Sequence, residues 1–296
     1  MILVVGSSGL LGSEICRTLR ESGKPVRALV RTTTDTAKQE RLGSLGADLS
    51  FGDLKDPSTL RAAMKGVSTV VSTASSTFSR QEGDSIETVD TQGQINLVDS
   101  AREAGVGHFI FISFPPMAED FALQRAKRAV EERLVQSGLA YTILQPTFFT
   151  EVWLSPAVGF DAANAKAQIY GSGRNQISWI SFLDVAKFAA GCAENPGTRN
   201  MTIQLGGPQA LSPLEVVKIF EDLSGRSFTL NHVPEDALRT QKAAATNSLD
   251  EAFSALMIAY AQGSVVDMGP VYGIFPQFQS QFSSVKDYAE RTLNLT

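Results

Sequence analysis

A chain of 296 residues, 43% hydrophobic and 19% charged, has the make-up of a soluble globular protein with room for one large α/β domain or two smaller ones. Its net charge of −5 lacks the basic excess that a nucleic-acid surface requires, and no block of like charges suggests an interaction tail. Two isolated cysteines, Cys16 and Cys192, and two histidines, His108 and His232, offer no metal-ligand spacing and fit a reduced compartment.

The opening residues, MILVVGSSG, already read as a strand entering a turn, without the basic and apolar leader of a secretory signal. No apolar run approaches the roughly 20 residues that cross a bilayer, so a cytoplasmic protein without a membrane span is expected. Short apolar runs at 2–5, 26–30, 47–51, 69–72, 108–113 and 141–144 read as strands. Amphipathic stretches at 11–21, 37–45, 57–65, 90–104 and 121–136 separate them and read as helices. Nearly all-apolar strands alternating with helices predict an α/β, doubly wound parallel sheet covered on both faces.

Beyond Pro146 the rhythm changes. Aromatic and small residues interleave through 147–170, Gly171-Ser172-Gly173 marks a turn, and 176–180 reads as a strand before a helix at 183–194 and a strand at 201–205. Ser212-Pro213-Leu214-Glu215 is a capping box that starts a helix over 214–223. From Thr229 the pattern is mostly helical with loops, ending in a helix near 285–293. The expected organisation is a first domain over 1–150, with 176–206 returning to it, and a smaller C-terminal lobe over 151–296.

The segment Gly6-Ser7-Ser8-Gly9-Leu10-Leu11-Gly12 follows a strand and opens a helix. In that context Gly6 permits the tight turn, Gly9 lets backbone approach a pyrophosphate, and Gly12 allows close helix–strand packing. The first helical amides then face the phosphates. A fold selective for NAD places an acid about 20 residues further on, to hold the ribose 2′-hydroxyl. Here Arg31 ends the second strand and three threonines follow it. A guanidinium suits the 2′-phosphate of NADP, so NADP(H) is the expected cofactor. Asp53-Leu54 after the third strand and Thr73-Ala74 after the fourth face the same crevice, and are placed beside the adenine and the ribose respectively.

The helix over 121–136 carries an anomaly. At 100° per residue Lys127 falls about 40° from Leu123, inside the apolar stripe that Val130 and Leu134 continue. Arg125, Arg128 and Glu132 lie on the opposite half, and Glu131 lies toward it, about 80° from Leu123.

Together VVGSSGLLGSEI, FGDLKDPSTLRAAMKGV, VDTQGQINLVDSAREAGVGHFIFIS, VEERLVQSGLAYTILQPTFF and ISFLDVAKFAA resemble the NmrA-like branch of the short-chain dehydrogenase/reductase superfamily. The resemblance implies a seven-stranded Rossmann sheet, NADP(H), and a substrate cleft roofed by the C-terminal half. Members of that branch include reductases of quinones, dyes and phenylpropanoids, and NADP-sensing regulators without catalysis. The superfamily's catalytic set matches Ser113, at the end of the fifth strand, and Lys127, while Leu123 stands at the tyrosine position. That departure removes the phenol that protonates a carbonyl oxygen. By the same resemblance Lys127 holds the nicotinamide ribose or supplies positive charge to the acceptor, and Pro146, Thr147 and Phe148 pass the nicotinamide ring. Trp153, Phe160, Tyr170, Phe275 and Phe278 suggest an apolar cleft wall. The expected activity is NADPH-dependent reduction of a small apolar, quinone-like or conjugated acceptor. The alternative is a sensor of NADP(H) that reports to a protein partner.

Overall fold

A computed structural model describes residues 1–78 and 80–295. The apolar runs of the first half form strands β1 (Ile2–Val5), β2 (Val26–Val30), β3 (Asp48–Phe51), β4 (Thr69–Ser72), β5 (His108–Ile112) and β6 (Tyr141–Pro146). These are parallel in the order β3-β2-β1-β4-β5-β6, and a seventh strand, Met201–Leu205, lies beside β6. Helices α1 (Leu10–Glu21), α2 (Thr36–Ser44), α3 (Pro57–Ala63), α4 (Gln94–Glu103) and α5 (Ala122–Gln136) cover the sheet. The fold is thus Rossmann-like α/β, with strand order reversing between β1 and β4. The register, Val5 opposite both Leu29 and Ser72, and Ser72 opposite Phe111, aligns the carboxyl ends of the central strands along one edge. β1, β4 and β5 are buried along their whole lengths, which is why they read as unbroken apolar runs.

The helical run before β5 begins earlier than its periodicity suggests. Residues Ile86–Gly93 form a π-helical stretch that continues into α4, started by a capping box between Ser85 and Thr88. Its last residue must be small, since a Cβ at Gly93 would lie 2.9 Å from the Leu54 Cβ and from the Thr88 carbonyl oxygen. Asp90, within this stretch, is fully buried.

The chain divides into two compact units: Met1–Phe114 with Ala122–Gln145 and Val185–Ile203, and Pro115–Phe121 with Pro146–Asp184 and Gln204–Thr296. The second has its own core, built on Trp179, Phe220, Phe148, Phe160 and Tyr260. Two of its strands depart from the sequence reading. Lys166–Tyr170, to which the interleaved aromatic and small residues of 147–170 assign no element, is the centre of a small sheet. Thr229–Val233, expected to start a helical region, pairs with it in parallel. The pairing supplies the backbone bonds, and the side chains of 229–233 stay largely exposed, so no apolar alternation marks the strand.

Candidate functional site

The glycine-rich turn is built from three glycines with different physical duties. Gly6 has φ +80°, and a Cβ there would meet the Thr73 hydroxyl at 2.6 Å and the Ala74 amide nitrogen at 2.7 Å. At Gly12 a Cβ would come within 2.1 Å of the Gly6 carbonyl oxygen. Both glycines are demanded by the fold itself. Gly9 is held less strictly: its φ of −83° and ψ of 174° suit any residue, and a Cβ would meet the Gly6 carbonyl oxygen at 3.3 Å, a tight contact that a shift of a few tenths of an ångström relieves. The absent side chain at Gly9 therefore leaves room over the start of α1. That helix has no side-chain cap and no acid in its first turn, whereas α2 and α3 are capped by Asp35 and Asp56. Uncapped amides at Leu10, Leu11 and Gly12 beside a space kept clear by Gly9 fit a pyrophosphate.

The neighbouring residues divide by what their side chains already do. The Ser7 hydroxyl is buried and donates to the Leu29 carbonyl at 2.7 Å, tying the turn to β2, while Ser8 is half-buried. Thr73 donates to the Val5 carbonyl at 3.2 Å, and the Ala74 carbonyl accepts from Gln94 at 2.8 Å. Leu54 is buried in the core. Asp53 closes its own turn by accepting from the Lys55 amide at 2.8 Å.

Arg31 is not a lone surface cation. Its guanidinium donates to Asp84 at 2.5 Å, and Lys55 donates to the other oxygen of the same carboxylate at 2.6 Å. Burial works to raise the Asp84 pKa, but hydrogen bonds from Lys55, Arg31 and the Gln81 amide outweigh it and hold the carboxyl below its ordinary value. Neither Lys55 nor Asp84 was among the expected site residues, since the pairing joins loops dozens of residues apart.

Lys127 lies on the buried stripe of α5 with Leu123, Ala126, Val130 and Leu134. Its ammonium donates to the Ile112 carbonyl at 3.2 Å and sits 4.8 Å from the centre of the Phe111 ring. Burial pushes its pKa down; the Asp90 and Glu131 carboxylates oppose that, and Arg128 adds to it. Asp90 accepts from the Ser76 amide and hydroxyl with one oxygen, at 3.0 and 2.7 Å, and its other oxygen has no hydrogen-bond partner among the described residues. Ser113, next along from Ile112, is buried and accepts from Arg128 at 3.0 Å. Arg128 also donates to the Phe114 carbonyl at 2.6 Å and pairs with Glu131 at 3.1 Å. Lys127 and Arg128 thus both anchor on the end of β5. Sequence reasoning placed Arg128 among the outward charges, because a wheel records direction and not the reach of a long side chain.

Pro146, Thr147 and Phe148 belong to the second unit. Thr147 donates its amide to the Leu205 carbonyl at 2.9 Å and its hydroxyl to the Ser178 carbonyl. Phe148 is a core ring, edge-on to Trp153 at 4.9 Å and to Tyr260 at 5.9 Å. Phe160, Tyr170 and Phe275 are likewise buried, and Phe278 stacks on Phe275 at 5.5 Å. Among the described residues no cluster of histidine, cysteine and acids is placed to hold a metal, and no helix is long and apolar enough to cross a membrane.

The family model described as the NmrA-like family matches residues 1–267. The chain is 34% identical over 229 residues to an NAD(P)H azoreductase of Xenophilus azovorans, covering 76% of this chain and 74% of that protein. It is 28% identical over 298 residues to the photosystem II assembly factor Ycf39 of a Synechocystis species, covering 98% of this chain and 89% of that one. Among solved structures, an NADPH-dependent quinone oxidoreductase of Escherichia coli complexed with NADPH superposes with a TM-score of 0.78 at 20% identity, over 99% of this chain and 100% of that one. An isoflavone reductase gives 0.79 at 23% identity, over 98% of each chain. These structural likenesses concern the fold.

Proposed function

Because the chain belongs to the NmrA-like family, we propose that it is an NADPH-dependent reductase that delivers hydride to a small apolar, quinone-like or conjugated acceptor. The observation that carries the reading is Gly9: it is the glycine of the turn that the fold holds least strictly, and it keeps the uncapped start of α1 approachable. The relatives named for azo and quinone reduction supply the class of chemistry. The dinucleotide, when bound, supplies the hydride.

The chain's own residues then have definable tasks. The amides of Leu10, Leu11 and Gly12 receive the pyrophosphate, and Arg31 takes the 2′-phosphate. The Lys127 ammonium, anchored on Ile112, offers a positive charge where the acceptor gains electrons, and its lowered pKa makes it a readier proton donor than an ordinary lysine. With Leu123 in place of the phenol, acceptors that delocalise charge and take their proton from Lys127 or water fit better than simple ketones.

The test is NADPH consumption by the purified protein with a panel of quinones, azo dyes and enones. Acceptor-dependent oxidation that falls at least about ten-fold in Lys127→Met is expected, one lost charge–charge contact being worth that much in an enclosed site. A second reading, a dinucleotide-binding regulator with a protein partner, is favoured by the assembly-factor match along 98% of the chain. Tight NADPH binding that no acceptor drains would select it.

A further inference from the structure

We infer that Asp84 sets the dinucleotide preference: by taking Arg31 and Lys55 onto its two oxygens it neutralises a cation pair and holds down the advantage of NADP(H) over NAD(H). The inference rests on the proposed reading that the chain binds such a dinucleotide with Arg31 toward the 2′-phosphate.

Asp84 is a buried anion between two partly exposed cations. Its side chain is 1% exposed, whereas those of Arg31 and Lys55 are 25% and 30% exposed. The turn that carries it is tied down independently of the charges. The Gln81 amide donates to the carboxylate at 3.0 Å, the Asp84 amide donates to the Gln81 carbonyl at 3.0 Å, and Thr33 bonds the Gln81 side chain at 2.6 Å. Lys55 also lies 3.9 Å from Asp53. Among the described residues, the ion-paired set at the ends of β2 and β3 thus balances Arg31 and Lys55 against Asp84 and Asp53.

A phosphate monoester carries nearly two negative charges. Drawn to Arg31, it meets a like charge one guanidinium away, in a partly enclosed site where screening is incomplete. A dinucleotide with a plain 2′-hydroxyl meets no such repulsion. The carboxylate thus acts on one cofactor and not the other, which makes it a specificity residue. Lys55 is the second cation such a phosphate would share.

Calorimetric titration of NADP⁺ and NAD⁺ into the wild type, Asp84→Asn, Lys55→Met and Arg31→Ala tests this. Asp84→Asn should bind NADP⁺ about ten-fold more tightly, which is about 1.4 kcal/mol, with NAD⁺ unchanged. If Asp84→Asn does not fold, Asp84→Ser, which also removes the charge, carries the test with the same tightening of NADP⁺ alone, while Lys55→Met should weaken NADP⁺ about ten-fold. Equal shifts for both ligands, no shift, or weaker NADP⁺ binding in Asp84→Asn would overturn the inference. Arg31→Ala separates it from the underlying reading. If Arg31→Ala erases the preference while Asp84→Asn leaves it intact, only the role of Asp84 falls. If no variant and no wild-type protein binds either dinucleotide, both fall.

Discussion

Gly9→Ala and Gly12→Ala each add one methyl group, yet they should fail in different ways. The Gly12 methyl would sit 2.1 Å from the Gly6 carbonyl oxygen, 2.7 Å from the Gly6 carbonyl carbon and 2.9 Å from the Ser7 Cα. All three are backbone atoms, so the turn has to move; overpacking of this kind costs about 1–3 kcal/mol and lowers the melting temperature by several degrees. The Gly9 methyl meets one atom at 3.3 Å in a backbone conformation that alanine adopts freely. The stiffer unfolded chain gains about 0.4–1 kcal/mol, and alanine's poorer performance at a helix N-cap offsets it. Stability should therefore hold to within about 0.5 kcal/mol. The methyl instead fills the space through which pyrophosphate oxygens reach the α1 amides. Losing one charge-assisted bond, worth about 1.5–3 kcal/mol, weakens binding by about 10- to 100-fold. Thermal unfolding with and without NADP⁺ reads both effects. Wild-type NADP⁺ affinity in Gly9→Ala, or a melting loss equal to that of Gly12→Ala, would refute the division of labour among the glycines.

Burial, with the Arg199 guanidinium adding to it, pushes the pKa of His108 down to about 4 from an ordinary 6.5. The Thr142 hydroxyl donates to the Thr198 carbonyl at 2.8 Å, so the His108 Nε2 is the donor in its own 2.8 Å bond to Thr142. The folded ring stays neutral while the unfolded one takes a proton. Stability from this residue is complete above about pH 6.5 and is lost as pH falls toward about 4, by about 3 kcal/mol in all. Denaturant unfolding across that window should show the loss in the wild type and not in His108→Gln; parallel curves would disprove it. Burial also raises the thiols of Cys16 and Cys192 to about 12. Both should resist an aromatic disulfide reagent at pH 8 in the folded protein and react fully in denaturant, and rapid labelling of the folded chain would contradict their placement.

Most of the sheet was legible because β1, β4 and β5 are buried on both faces and carry apolar residues without interruption. The strand Thr229–Val233 was not, since its side chains stay in solvent and its order comes from the backbone of Lys166–Tyr170. Within the candidate site, Gly6, Gly9 and Gly12 stood out by spacing, and Lys127 by its place on an apolar stripe. Asp90 escaped notice because its bonds to Ser76 and its charge beside Lys127 join segments that only the fold brings together.

The amino-acid order alone determined what neighbours in the chain decide: strand and helix periods and the turn at the head of α1. Only the tertiary structure decided which charges meet. Arg31 finds Asp84 across 53 residues, Lys55 reaches the same carboxylate across 29, and Arg128 turns back 15 residues to Ser113. The physical reason is range. A period is written by side chains one or two turns apart, whereas an ion pair between loops depends on how parallel strands bring their carboxyl ends to one edge, and no local pattern records that meeting.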